Sequence, residues 1–121
     1  MSLGFTELPS FMRFRDKNIA NKPFFGLQME LMADPEKGDV MPGCGGFRKV
    51  RLADEVRGKG KRGGIRIIYL YVPEVSRIVF ILGYAKNLME DLSAADKKAL
   101  RERAAILRLE EIRESGGIRD D

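Results

Sequence analysis

The chain has 121 residues, enough for one compact domain, and its 44% hydrophobic content excludes wholesale disorder. With 22 Lys and Arg against 18 Asp and Glu, the net charge of +4 favours an anionic partner such as nucleic acid. There is no histidine and one cysteine, which excludes histidine acid–base chemistry, Ser-His and Cys-His nucleophile pairs, histidine- or thiolate-held zinc within one chain, and any intrachain disulfide.

The lone Cys44, the lack of a membrane-length apolar run and the lack of a secretory leader set the expectation of a cytoplasmic protein with no membrane partner. The carboxylates form no tight cluster of the kind that holds magnesium, so neither a metal nor a cofactor is expected.

Phe5 to Leu8 alternates and is stopped by Pro9, which predicts a first strand. Ser10 reads as an N-cap for a short helix over Phe11 to Ile19. Asn21-Lys22-Pro23 starts a second helix, with proline at its first position, and Phe24, Leu27 and Leu31 carry the helical period to about Ala33. Glu36 to Gly46 is a Gly- and Pro-containing loop.

Phe47 to Leu52 alternates again. Val50 and Leu52 share one face of a strand and Lys49 and Arg51 the other. Ala53 to Gly64 is a Gly/Lys/Arg connection. Ile65 to Val72 and Ser76 to Ala85 are strands joined by a short turn, hence an antiparallel hairpin, and the second is apolar on both faces. Ser93 with Asp96 forms a capping box for a last helix that runs to about Glu114. The sum is an α+β fold, β-α-α-β-β-β-α: a small twisted antiparallel sheet with two N-terminal helices and a C-terminal helix. A single domain over 1–121 is expected, with an ordered core over about 5–114 and a flexible tail over 115–121.

The middle of the chain is a basic block. If the last three strands are neighbours, Lys49, Arg51, Arg66 and Lys86, with Tyr84, converge on one sheet surface. Such a set suits RNA cleavage. That reaction needs a base for the 2′-OH proton, cations for the phosphorane-like transition state and an acid for the leaving 5′-oxygen. Arginine matches phosphate oxygens with its planar fork, and a lysine crowded by cations titrates nearer neutrality. Alternating Lys and Arg on a strand is usually the pattern of a solvated face, and on pattern alone that reading leads for Lys49 and Arg51. Arg57, Lys59, Lys61 and Arg62, among glycines, fit either a phosphate-wrapping loop or a solvated one.

Three segments favour the catalytic reading of the strand cations. They are Gly45-Gly46-Phe47-Arg48-Lys49-Val50-Arg51, Lys61-Arg62-Gly63-Gly64-Ile65-Arg66-Ile67-Ile68-Tyr69, and Tyr84-Ala85-Lys86-Asn87 followed by Asp91-Leu92. With Leu27 through Asp34-Pro35-Glu36-Lys37-Gly38-Asp39, they resemble in order and spacing the HigB-type branch of the RelE toxin superfamily, over roughly Phe5 to Leu107.

The resemblance implies a RelE-like fold and a ribosome-dependent, metal-independent mRNA endonuclease that cuts mRNA in the ribosomal A site. It also implies a cognate antitoxin, commonly a helix-turn-helix protein, and operator DNA bound only through the toxin–antitoxin complex. The family's basic pair on the second of its strands falls on Lys49 and Arg51, its strand-three arginine on Arg66 and its strand-four basic residue on Lys86. Tyr84 stands nearest to the family's helix tyrosine, which has no counterpart in the last helix. Arg48, Arg57, Lys59, Lys61, Arg62 and Asn87 are the expected RNA-binding residues. Asn87 stands where RelE proper has a second cation, and this leaves open a catalytically degenerate protein of the same fold that only binds RNA or antitoxin.

Overall fold

The structure, a computed structural model, describes residues 2–58, 60, 64–86 and 92–116. In chain order these form β1 (Gly4–Glu7), α1 (Pro9–Asn18), α2 (Asn21–Ala33), β2 (Asp39–Val40), β3 (Phe47–Leu52), β4 (Ile65–Val72), β5 (Arg77–Ala85) and α3 (Ala94–Glu114). The fold is α+β, as the periodicities predict. The five strands lie in the order β1-β5-β4-β3-β2.

The sheet is mixed where an antiparallel one was expected. β2 with β3, β3 with β4, and β4 with β5 are antiparallel, but β1 runs parallel to β5, with Phe5 beside Ile78 and Glu7 beside Phe80. A parallel pair needs a long crossover, and everything from α1 to β4 supplies it. β2, inside the expected loop, is a two-residue edge strand.

Antiparallel pairing assigns each side chain to a face. On one face Val50 and Leu52 of β3, Ile65, Ile67 and Tyr69 of β4, and Ile78 and Phe80 of β5 form a core with Phe11 of α1 and Phe24, Leu27 and Leu31 of α2. Its centre is aromatic. The Phe80 ring lies 5.1 Å from Phe11, 5.3 Å from Phe24 and 5.6 Å from Phe5, and such pairs add about 0.5–1.5 kcal/mol each beyond area burial. On the other face Phe47, Ile68, Leu70, Val72, Val79 and Ile81 meet Ala104 and Leu107 of α3.

The caps refine the expectations. Ser93 and Asp96 form the predicted capping box, with reciprocal 3.1 Å hydrogen bonds that hold the Asp96 carboxyl below its ordinary range. Ser10 does not cap α1. That helix starts at Pro9 after Leu8, and the Ser10 hydroxyl donates to the carbonyl of Ile81 at 2.6 Å, tying α1 to β5. α2 begins at Asn21, so Pro23 is its third residue and not its first; the preceding turn still leaves its missing N–H without cost.

A buried polar knot locks α3 to the far edge of the sheet. Glu111 is 5% exposed; it accepts from Thr6 Oγ1 at 2.6 Å and from Arg77 Nε at 3.3 Å, while Arg77 Nη2 donates to Thr6 at 2.8 Å. Glu111→Ala leaves a half-buried guanidinium and a hydroxyl short of an acceptor. It is expected to cost about 1–3 kcal/mol in urea denaturation. Glu111→Gln keeps an acceptor for Thr6 and is expected to cost less.

Candidate active site

The β3–β4 register sets Arg51 directly opposite Arg66, and the β4–β5 register sets Arg66 directly opposite Tyr84. Opposed residues in antiparallel strands share a face, with Cβ atoms about 4.5–5.5 Å apart. Arg51, Arg66 and Tyr84 therefore form one row across three strands. Lys49, two residues before Arg51, lies on the same face one row in, opposite Ile68.

This is the face that α3 covers, but α3 covers its other end. Along β4 the residues of this face run Val72, Leu70, Ile68, Arg66. The first three are buried against α3 or its neighbouring loop, and Arg66 is half-buried. Arg108 of α3 donates to the carbonyl of Tyr71 at 3.0 Å, fixing the helix over the buried end. The cations emerge where the helical cover stops. Lys49 and Arg51 are exposed, and Tyr84 is half-buried with its ring packed on the apolar cluster. Burial pushes the Tyr84 phenol up from 10.0, and the Arg66 guanidinium opposes that shift in part. The phenol consequently keeps its proton beside a cation. Arg66 Nη1 also donates to the carbonyl of Ile65 at 3.4 Å.

Two like charges directly across a strand pair oppose each other and weaken the sheet locally. An anion seated between Arg51 and Arg66 reverses the sign of that interaction. Two arginine forks side by side match the non-bridging oxygens of a phosphate.

Lys86 follows one row further on. Its backbone N–H donates to the carbonyl of Gly64 at 3.1 Å, which extends the β4–β5 ladder beyond the Arg66–Tyr84 pair, and its side chain is exposed. Asp39 of β2 is the cross-strand neighbour of Lys49 on the outer side, an acidic neighbour that no spacing rule in the sequence announces.

The expected RNA-binding residues separate into three groups. Arg48 points to the opposite face from Lys49. There its guanidinium donates to the carbonyls of Glu36 and Gly38 at 3.0 and 2.8 Å and pairs with the Glu36 carboxylate at 3.2 Å. It braces the 34–38 loop, together with Tyr69, whose hydroxyl accepts from Gly38 N and donates to Pro35 O, both at 2.9 Å. Arg57 is held at the base of the basic loop. Its Nη1 meets Asp54 at 3.0 Å, its backbone N–H donates to the same carboxylate at 3.1 Å, and its Nη2 donates to Asn18 of α1 at 2.6 Å. Lys59, Lys61, Arg62 and Asn87 lie outside the described residues.

Asp54 is the residue that sequence reasoning missed. It is 2% exposed, and its only sequence signal is an Arg three positions on. A shallow groove of about 530 Å³ lined by Glu7, Arg15, Lys22, Phe24, Phe25 and Gln28 includes none of the row residues. Among the described residues no cluster of three or more Cys, Asp or Glu is placed to hold a metal ion, and no helix is long and apolar enough to cross a membrane.

The family model for the RelE toxin of the RelE / RelB toxin–antitoxin system matches residues 11–114. The match runs from the first turns of α1 to the end of α3 and takes in the whole cation row.

Tyr69 and Tyr84 both hold their protons more tightly in the folded chain, each through burial. Their contribution to stability is fully present below the unfolded value near 10 and is lost as pH rises toward the folded values. Urea midpoints measured from about pH 9 to about pH 11 are expected to fall, and to fall less steeply in Tyr84→Phe. Parallel profiles for the two proteins would contradict the burial of this phenol.

Proposed function

The chain belongs to the RelE toxin family, and from that premise we propose that it is a ribosome-dependent mRNA endonuclease of the HigB-like branch, with Arg51, Arg66, Lys49, Lys86 and Tyr84 as its catalytic set. Toxins of this family are generally mRNA-cleaving and act with an antitoxin. The observation that carries the residue assignment is the Arg51–Arg66–Tyr84 row.

In this reading the scissile phosphate sits against the paired arginines, which stabilise the charge that builds as the 2′-oxygen attacks phosphorus. The P–O5′ bond breaks as the P–O2′ bond forms, leaving a cyclic phosphate and a 5′-hydroxyl. Tyr84, kept protonated by burial beside Arg66, donates to the leaving oxygen. The 2′-OH proton passes to the Nζ of Lys49 or Lys86, the two lysines that flank the row, as the P–O2′ bond forms, and the other lysine adds charge stabilisation. None of these steps calls for a metal.

An open sheet face holds a phosphate but does not bend an RNA strand. In-line placement of the 2′-oxygen contributes much of the rate in such reactions. The ribosomal A site supplies that constraint, which is why the reading includes the ribosome. A helix-turn-helix antitoxin, and operator DNA reached through it, complete the proposal. Residues about 5–114 act as one toxin domain in it, and the loop bearing Lys59, Lys61 and Arg62, with Arg48, Arg57 and Asn87, adds RNA contacts.

The absence of tyrosine from α3, and Asn87 beside Lys86, favour one second reading, a degenerate relative that binds RNA or antitoxin without cutting. Incubation with mRNA-programmed ribosomes separates the two. Codon-positioned cuts are expected, reduced about 100-fold or more in Arg66→Ala and comparably in Arg51→Ala. Equal cutting by Arg66→Ala and the unaltered chain would remove the row from the mechanism, and binding without cuts establishes the degenerate reading.

A further inference from the structure

α3 packs on the sheet through Leu100, Ala104, Leu107 and Glu111. Its opposite side faces solvent. Along that side Ala95, Ala99, Glu102, Ile106, Leu109 and Arg113 recur in alternating steps of four and three, which is the spacing of a coiled-coil seam. All are exposed, and Ile106 and Leu109 remain 48% and 52% exposed at its centre. Ile106 and Leu109 lie three apart, so these two exposed aliphatics are neighbours on one helix face.

The charges around them identify the occupant. Reflected about the midpoint between Leu107 and Arg108, the four C-terminal seam positions map onto one another: Ile106 falls on Leu109, and Glu102 falls on Arg113, while Ala95 and Ala99 fall beyond the end of α3. A second copy laid antiparallel therefore packs Ile106 against Leu109 and sets Glu102 against Arg113, each contact made twice about a two-fold axis. Arg103 and Glu110 lie one position beside the seam on the same flank, so an antiparallel copy brings opposite charges together there as well. A parallel copy brings Glu102 to Glu102 and Arg113 to Arg113. Among the described residues, none of Glu102, Arg103, Glu110 and Arg113 forms an ion pair within its own chain.

We propose that the outer face of α3 is a self-association surface that docks a second copy of this chain antiparallel, about a two-fold axis. One helix per chain places the interface below about 1,200 Å² in total, in the range of weak and transient pairs. The pair forms at high local concentration and is screened by salt, because its specificity is ionic.

Sedimentation equilibrium of the full chain between about 10 µM and about 1 mM tests this. The mean mass is expected to rise from 13.7 kDa toward twice that value. Glu102→Arg sets arginine against Arg113 of the second copy, and Arg113→Glu sets glutamate against Glu102. Each single variant is expected to stay monomeric, and its helical circular dichroism to be unchanged because both sites are exposed. The double variant Glu102→Arg with Arg113→Glu is expected to associate again, as is an equimolar mixture of the two single variants, in which every pair is once more opposite in charge. A chain that stays monomeric throughout, or single variants that associate as well as the unaltered chain, would overturn the proposal. Dimers that form in the unaltered chain but return in neither the double variant nor the mixture would do so too.

Discussion

The pairing of β4 with both of its neighbours is the constraint on which the rest of the structure depends. β4 is the middle strand of five, buried on both faces, and its one charged residue is Arg66. Its register with β3 and β5 decides which side chains reach which core. A slip of one residue would send Ile65, Ile67 and Tyr69 away from the phenylalanine cluster and turn Arg66 toward it. The apolar set on each face therefore holds the register, and the register in turn fixes the row of Arg51, Arg66 and Tyr84. A charged site placed this way needs little side-chain ordering of its own, because the sandwich of α1 and α2, sheet, and α3 has already oriented the backbone that bears it.

The site and the core compete at one point. Arg51 beside Arg66 is a local electrostatic penalty at the end of an otherwise apolar ladder. Solvent screens part of it, since Arg51 is exposed. An anion placed between the two guanidinium groups would relieve that repulsion. Tyr84 fits this arrangement: its ring packs on the apolar cluster and it stands opposite Arg66, whose charge opposes the rise of its phenol, so one residue belongs to both regions.

Two braces steady the surroundings of the row. Arg48 and Tyr69 hold the 34–38 loop from the opposite face, the one that α1 and α2 cover. Buried Asp54 and Asn18 hold Arg57, and with it the start of the basic loop, against the end of α1. Both use cations that composition alone would assign to RNA. The physical difference is the neighbour: Arg48 and Arg57 are held by the 34–38 loop and by a buried carboxylate, whereas Arg51 and Arg66 face each other across a strand pair.

Much of this was legible in the sequence because it is local. The alternation in Phe47 to Leu52 placed Lys49 and Arg51 together, the β-branched runs gave β4 and β5 as a hairpin, and Ser93 with Asp96 marked the start of α3. Each follows from a period or a cap contained within a few residues. What only the tertiary structure decided depends on contacts between distant segments. These include the parallel seat of β1 beside β5, the two-residue strand β2, Ser10 bonding Ile81 where an N-cap was expected, and the division of Arg48 and Arg57 from Arg51 and Arg66. Residue type and spacing determined that a cationic strand face exists. Which cation stands opposite which is a matter of register, and register is set by the apolar side chains that the two cores bury.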